Sequence, residues 1–204
     1  MRRLPIYLLL DTSDSMSGEP IAAVETGLQS LVHAWQKDPY MIETAFLSVI
    51  TFGGSAQQIM PLTDLTSFEM PKIKASGMNA LGDALKTVSQ CIDRDVVKTT
   101  AEIKGDWKPF VLIFIFSNPV DDWQSGLNEL KKRTTTGIVI ITIGNEANES
   151  ILKQITENIG RMETDLEGLY KIWYIPPPPH DPISLPKGVD SLLLPPPPEG
   201  HFVI

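Results

Sequence analysis

The sequence predicts an α/β fold, in which helices cover both faces of a mainly parallel sheet. Short apolar runs alternate along the chain with segments whose apolar residues recur every three or four positions, which is typical of alternating strands and helices. One run, residues 110–116, is apolar throughout, as expected of a central parallel strand buried on both sides. A chain of 204 residues is long enough for one such domain with an appendage.

The individual elements can be placed in chain order. Apolar runs predict strands at residues 6–10, 45–52, 110–116 and 138–143, with a short partner strand at 56–60. Helical spacing predicts helices at residues 20–35, 80–92, around 127–130, 151–159 and 166–174. Gly53 and Gly54 separate the second strand from its short partner, which indicates a hairpin at that point.

The composition changes after residue 175. Residues 176–204 hold ten of the seventeen prolines, at 176–179, 182, 186 and 195–198. Because proline lacks an amide donor, these runs cannot join a helix interior or a central strand, and they favour polyproline II. We therefore predict a domain at residues 1–175 and a proline-rich tail at 176–204. Its apolar stretches, 192–194 and 202–204, favour packing on the domain or at a partner interface over a free peptide ligand.

Charge and cysteine content exclude several function classes. The formal net charge of −8 opposes non-specific binding to nucleic acid or to an anionic membrane surface, so neither partner is expected. Cys91 is the single cysteine, which rules out a disulfide within the chain and suits a reducing compartment. No apolar run is long enough to cross a bilayer, and Asp11 ends the first one before it resembles a secretion signal. These features predict a cytoplasmic protein.

Three oxygen-bearing side chains alternate where the first strand ends, at Asp11, Ser13 and Ser15. Hard cations such as Mg²⁺ prefer oxygen ligands, and open α/β sheets bind ligands beyond the carboxyl ends of their strands. The same residue types are also common in turns and at helix N-caps. The motif by itself therefore leaves a metal site and an ordinary turn as alternatives.

Further motifs follow in a fixed order: DTSDSMSGEPI at 11–21, DPY at 38–40, ASGMNALGDAL at 75–85, FSNP at 116–119 and DDW at 121–123. Together they resemble the von Willebrand factor A (vWA) domain over residues 4–174, and more narrowly the bacterial tellurium-resistance, TerY-like branch. The resemblance implies a Rossmann-like fold with a mostly parallel sheet and one antiparallel edge strand. It also implies a metal-ion-dependent adhesion site at the top of the sheet, whose shell an acidic partner residue completes.

The chain departs from the family pattern at two ligand positions. The family has a threonine at the position of Asn79 and an aspartate at that of Asn118. The resemblance therefore implies Asp11, Ser13 and Ser15 as retained metal ligands, with the two asparagines as altered ones. An asparagine offers a carbonyl oxygen but no charge, so we expect weak Mg²⁺ binding, with Mn²⁺ or Ca²⁺ as substitutes. Aspartates 121 and 122 follow soon after Asn118 and are candidates to compensate for the lost charge.

These features predict a non-catalytic protein-interaction module. The tellurium-resistance resemblance implies a stress-response setting with a kinase or phosphatase as partner. One alternative is a metal-free scaffold that binds through its helices and tail. Another is a phosphotransferase or hydrolase with Asp11 as nucleophile. Against it, Ser13 stands where a haloacid-dehalogenase-like enzyme places its second aspartate, and no phosphate-binding glycine motif is present. Histidines 33, 180 and 201 lie on a helix or in the tail, without a nucleophile beside them in the pattern.

Overall fold

The structure, a computed structural model, describes residues 2–133 and 137–162. These residues form a six-stranded sheet in the order β3-β2-β1-β4-β5-β6. The strands are β1 (Leu4–Asp11), β2 (Ala45–Gly53), β3 (Ser55–Asp64), β4 (Phe110–Ile115), β5 (Gly137–Ile143) and β6 (Ile159–Met162). The helices are α1 (Glu19–Trp35), α2 (Pro39–Thr44), α3 (Leu81–Asp95), α4 (Trp123–Lys131) and α5 (Glu149–Leu152).

The sheet is parallel except at one edge. β1 lies in the middle, with Leu8 opposite Val49 of β2 on one side and Leu112 of β4 on the other. β5 and β6 continue the parallel order, and β3 pairs antiparallel with β2. The predicted mostly parallel sheet with one antiparallel edge strand is thereby confirmed.

Two hydrophobic cores lie on opposite faces of the sheet because side chains alternate along each strand. On one face, Leu8 packs in a cluster with residues of α1 such as Leu28. On the other face, Leu9 packs with Leu85 of α3 and Leu127 of α4. Every residue of β1 and β4 is buried, which explains why the apolar run of β4 has no polar alternation.

The segment predicted as a helix at residues 151–159 has a different structure, and that prediction is wrong. Helix α5 ends at Leu152, and the chain then turns into β6, a sixth strand that the sequence did not predict. Leu152 and Ile155 are buried as a helix would bury them, but the Thr156 hydroxyl donates to the carbonyl of Ile138 in β5 at 2.8 Å. This bond ties the turn to the sheet, where residues 159–162 gain a strand partner.

Other boundaries differ less. β3 is longer than the predicted 56–60 strand, and α2 was not predicted. Asp38 begins α2 by accepting hydrogen bonds from the amides of Tyr40 and Met41 at 2.8 and 3.2 Å, which is an ordinary N-cap. The expected helix at 166–174 and the tail at 176–204 lie outside the described residues. Within the described part of the chain, no helix has the length and apolarity needed to span a membrane.

Helices α3 and α4 approach each other through glycine. A Cβ atom on Gly82 would lie 2.5 Å from the backbone oxygen of Asp122, and one on Gly126 would lie 2.3 Å from the backbone oxygen of Gly82. Both distances are too short for any side chain larger than hydrogen. The contact holds the beginning of α3 against the beginning of α4, next to the carboxyl end of β4.

Candidate functional site

A polar cluster lies at the carboxyl edge of the sheet. Asp11 is the last residue of β1 and is fully buried, and Ser13 and Asn79 are 3% and 2% exposed. Ser15 and Ser117 lie above them, nearer the solvent. Because parallel strands end at the same edge, β1 and β4 deliver their following loops to one place. The structure thus brings together four of the five residues expected from the sequence, with Ser117 in addition.

Five donors from the protein surround the Asp11 carboxylate. Oδ1 accepts from the Ser13 amide at 2.9 Å and from its hydroxyl at 2.6 Å. Oδ2 accepts from Asn79 Nδ2 at 2.9 Å and from the amides of Phe116 and Ser117 at 3.1 and 3.4 Å. A buried charge is costly unless hydrogen bonds replace its hydration. The protein itself supplies those bonds here, so the hydrogen-bonding capacity of the Asp11 carboxylate is used without a cation.

Three hydroxyl groups form what we call the hydroxyl triangle, made of Ser13, Ser15 and Ser117. Their Oγ atoms are 2.9 Å apart for Ser13 and Ser15, 3.1 Å for Ser15 and Ser117, and 3.5 Å for Ser13 and Ser117. Neighbouring oxygen ligands of an octahedral Mg²⁺ ion, bound at about 2.0–2.1 Å, lie about 3 Å apart. The triangle therefore fits one face of such a shell in element and in spacing.

The charge around the triangle fits a divalent ion less well. Among the described residues, Asp11 is the one carboxylate whose hydrogen bonds reach the triangle, through Ser13. In residues 2–133 and 137–162 there is no group of three His, Cys, Asp or Glu residues arranged to hold a metal. Divalent oxygen sites gain affinity with each carboxylate they contain. A divalent ion at the triangle would therefore gain less affinity than at a site with two carboxylates.

Asn79 presents its amide nitrogen to the cluster. Nδ2 donates to Asp11 and also to the backbone oxygen of Ser117 at 3.0 Å. A flipped amide would set Oδ1 against both of those acceptors, so the network fixes this orientation. Oδ1 is buried and has no hydrogen-bond partner among the described residues. Asn79 thus donates one of the hydrogen bonds that the buried Asp11 carboxylate accepts, at a position where the family has a threonine.

The structure does not bring Asn118 into the cluster. Its side chain is exposed, and Oδ1 accepts from the amide of Asn148 at 2.7 Å. Ser117, which the sequence analysis missed, contributes the hydroxyl instead. The structure explains this placement, since Leu10 lies opposite Phe114 in the sheet, and the same offset sets Ser13 opposite Ser117.

The neighbouring aspartates serve the backbone rather than the cluster. Asp121 accepts from the amides of Gly82 and Asp83, both at 2.9 Å, at the start of α3. Asp122 caps α4 by accepting from the Ser125 amide at 3.0 Å. Carboxylates at helix N-termini are stabilised by the helix dipole. Neither aspartate replaces the missing ligand in this structure.

Backbone contacts fix the first loop against the loop before α3. The Ser76 amide donates to the Thr12 oxygen at 2.7 Å, and the Asp14 amide donates to the Gly77 oxygen at 2.7 Å. Gly77 has a φ of +76°, and a Cβ there would lie 2.7 Å from Gly54 Cα. Only glycine allows this conformation and this close approach.

Other nucleophile candidates are poorly placed. The Cys91 thiol is buried in α3, and burial raises its pKa, which opposes the reactive thiolate form. His33 lies exposed in the last turn of α1. Glu19 at the start of that helix follows the loop that carries Ser13 and Ser15, and His33 lies about 21 Å further along the helix axis. Histidines 180 and 201 lie outside the described residues.

The family model of the von Willebrand factor type A domain matches residues 6–167. The chain belongs to this family. The vWA resemblance is thereby confirmed, and vWA domains generally act in protein–protein interactions rather than in catalysis. Among curated proteins, no sequence matches this one.

Solved structures agree in fold. A zinc-bound form of proximal thread matrix protein 1 from the mussel byssus superposes with a TM-score of 0.60 at 19% identity, covering 84% of this chain and 44% of that one. A von Willebrand factor type A protein from Catenulispora acidiphila superposes with a TM-score of 0.62 at 12% identity, covering 82% of this chain and 40% of that one. The ArnB paralog VWA2 from Sulfolobus acidocaldarius superposes with a TM-score of 0.58 at 16% identity, covering 84% of this chain and 44% of that one.

At these identities the likeness shows the fold alone. This chain spans less than half the length of each of these proteins. In the mussel protein the metal-ion-dependent adhesion site motif is occupied by zinc, so a vWA domain of this fold can hold a divalent ion at that motif.

Proposed function

We propose that this chain is a non-catalytic protein-interaction module that binds a partner through the carboxyl edge of its sheet, where it holds a divalent cation weakly. One observation carries the proposal: the hydroxyl triangle stands over the buried Asp11 carboxylate, and no second carboxylate in the described part of the chain is bonded to it. The oxygen donors suit Mg²⁺, with Mn²⁺ or Ca²⁺ as substitutes, and the single negative charge limits affinity.

Each residue of the polar cluster would have a distinct role in holding the ion. The hydroxyl oxygens of Ser13, Ser15 and Ser117 would hold the ion, and Asp11 would orient them and supply negative charge. Asn79 would hold Asp11 in place. Asn118 could join only by leaving the Asn148 amide. A bound ion supplies positive charge at a protein surface, which suits an acidic group of a partner.

The absence of catalysis is part of this proposal. A phosphotransferase with Asp11 as nucleophile would need a free carboxylate oxygen and a nearby acid or base. Both oxygens of Asp11 are instead held by protein donors. The two neighbouring aspartates are bound to helix N-termini. This arrangement supports a positioning role for Asp11.

The biological setting is proposed by analogy. The order of motifs resembles the tellurium-resistance branch, so we propose a stress-response or tellurium-resistance system in the cytoplasm, with a kinase or phosphatase as partner. The net charge of −8 supports a protein partner over nucleic acid or an anionic membrane.

Affinity capture with the full chain tests the proposal. The wild type and Ser15→Leu are immobilised and exposed to host lysate, in Mg²⁺ and in EDTA. Ser67→Leu is the matched control, because Ser67 is also exposed but follows the far end of β3. We expect a partner that Ser67→Leu retains and Ser15→Leu loses.

Two results would contradict the proposal. If the wild type, Ser15→Leu and Ser67→Leu capture the same partner equally, that partner binds elsewhere on the protein. Loss of that partner on deletion of residues 176–204, with no loss in Ser15→Leu, would favour the metal-free scaffold that binds through its tail.

A further inference from the structure

We infer that the proline-rich tail, residues 176–204, docks on the amino edge of the sheet, against the hairpin that precedes β4. This edge lies opposite the one that carries the hydroxyl triangle, so docking there is independent of the proposed function. The surface of the hairpin, its fixed shape, its charge and the length of the chain beyond Met162 all support this place for the tail.

The hairpin at residues 96–108, which we call the amino-edge hairpin, turns apolar side chains toward the solvent. Its two arms are joined by a hydrogen bond from the Asp106 amide to the Val97 oxygen at 2.8 Å. Val97 and Ile103 are 45% and 58% exposed, and Trp107, directly after Asp106, is half-buried. Exposed apolar side chains that are grouped, unlike isolated ones, indicate an interaction surface.

Several contacts hold the amino-edge hairpin against the start of β1 in one shape. Arg3 forms an ion pair with Asp106 at 2.6 Å, and the Trp107 amide donates to the Arg3 oxygen at 2.8 Å. Arg2 donates to the Gly105 oxygen at 2.7 Å, and its guanidinium lies 3.9 Å from the centre of the Trp107 ring. A surface that is already fixed in shape loses less entropy when a segment docks on it.

The segments around the hairpin carry an excess of positive charge. Residues 2–3, 93–108 and 129–133 precede β1, β4 and β5 at the amino edge. Nine of them are basic and five are acidic: Arg2, Arg3, Arg94, Lys98, Lys104, Lys108, Lys131, Lys132 and Arg133, against Asp93, Asp95, Glu102, Asp106 and Glu129. The carboxyl edge has the opposite balance, because residues 11–19 and 116–123 hold five acidic residues and no basic one. An acidic segment is therefore favoured at the amino edge and disfavoured at the carboxyl edge.

The tail has the composition that matches this surface. Residues 176–204 hold three acidic residues and one basic residue: Asp181, Asp190 and Glu199, against Lys187. The runs at 192–194 and 202–204 supply apolar side chains. The ten prolines restrict the backbone before docking, so docking orders fewer free torsions. Proline-rich segments also bind against aromatic rings, and Trp107 provides one beside the exposed apolar side chains.

The chain is long enough for the tail to reach the hairpin of its own molecule. Met162 ends β6 at the carboxyl edge, because β6 belongs to the parallel part of the sheet. From there to residue 176 the chain can span up to about 46–50 Å. The amino edge is about 26 Å away along a strand as long as β1. β1 lies three strand spacings from β6, which is about 14 Å.

Paramagnetic labelling of the full chain tests this docking. A nitroxide is attached to Ser191→Cys, next to the apolar run of the tail. Cys91 is buried, so the new thiol is the reactive one. We expect the label to increase the relaxation rates of the Val97 and Ile103 amides at least about fivefold more than that of the Ser15 amide, which lies at the carboxyl edge.

A matched pair of variants locates the surface. Ile103→Asp removes an apolar contact and repels an acidic tail. Val120→Asp is the control, because Val120 is 63% exposed but follows β4 at the carboxyl edge. Trypsin can cut the tail only after Lys187, its single basic residue. Because cleavage follows the undocked fraction, we expect it to be about tenfold faster in Ile103→Asp than in the wild type, and to change by less than about twofold in Val120→Asp.

Three results would overturn docking of the tail on this hairpin. The first is a label that affects Ser15 as much as Ile103, or neither of them. The second is an equal change of cleavage rate in Ile103→Asp and Val120→Asp. The third is equal relaxation at Ile103 when the label is on a second copy mixed with an unlabelled chain, because the tail would then come from another molecule. None of these results involves the carboxyl edge, so the proposed function would still depend on partner capture by Ser15→Leu.

Discussion

Replacing Ser117 by aspartate adds the carboxylate that the hydroxyl triangle lacks. The Ser117 hydroxyl lies 3.1 Å from Ser15 Oγ and 3.5 Å from Ser13 Oγ, so the new group faces the same space. At an effective dielectric constant of about 20, unit charges about 4 Å apart interact by about 4 kcal/mol, and a divalent ion doubles this figure. Desolvation removes most of the gain. We expect a net gain of about 1.4–2.8 kcal/mol, or a Kd for Mg²⁺ about 10- to 100-fold lower.

Calorimetric titration of Mg²⁺ into the wild type and Ser117→Asp measures this difference. Asn118→Asp is the matched control, because it adds the same charge one residue away on a side chain that faces the Asn148 amide. We expect less than a threefold change there. Without metal, the new carboxylate also lies near Asp11, so Ser117→Asp should melt at a lower temperature than the wild type and recover with Mg²⁺.

Two results would refute this reasoning. Tight Mg²⁺ binding by the wild type, unchanged in Ser117→Asp, would show that charge does not limit the site. Equal or greater tightening by Asn118→Asp would show that Asn118, not Ser117, faces the ion.

Three further predictions concern stability and catalysis. The Tyr7 hydroxyl is buried and has no partner in the described part of the chain, so Tyr7→Phe should raise the unfolding free energy by about 1 kcal/mol. Burial raises the pKa of Tyr7, so the wild type should lose stability above about pH 10, where tyrosine ionises in the unfolded chain but not in the folded one. Urea melts at pH 8 and 11 measure this loss, and it should be smaller in Tyr7→Phe. Gly82→Ala should cost about 1–3 kcal/mol, seen as a lower melting temperature, because its Cβ would meet the Asp122 backbone. The purified chain should not hydrolyse p-nitrophenyl phosphate, and turnover that Asp11→Asn abolishes would contradict the binding function.

The elements that the sequence predicted well are those with a local cause. β4 is buried on both faces, and its residues are apolar for that reason alone. Helix α1 shows its buried stripe in the spacing of its own apolar residues. In contrast, α2 has six residues, too few for a periodic pattern, and its one sequence indication was the Asp38 cap before Pro39.

β6 and the third loop of the site depend on distant residues. Apolar residues at 151, 152, 155 and 159 fit a helix, and only pairing with β5 makes residues 159–162 a strand. Asp11, Ser13 and Ser15 share one short motif, so their proximity could be predicted. The choice between Ser117 and Asn118 depends on the amide of Asn148, thirty residues further along the chain, which no local pattern reveals.

Because five protein donors surround Asp11, we expect the domain to fold whether or not an ion is bound at this edge. A ligand stabilises a fold only through its affinity for the folded state, and at a concentration equal to its Kd this amounts to about 0.4 kcal/mol. Domains whose metal ligands have no other partner unfold in a chelator, whereas in this domain protein donors satisfy the buried Asp11 carboxylate without an ion. If the edge binds Mg²⁺ as we propose, its occupancy would follow the free Mg²⁺ concentration while the protein stays folded, as a reversible signal rather than a structural requirement.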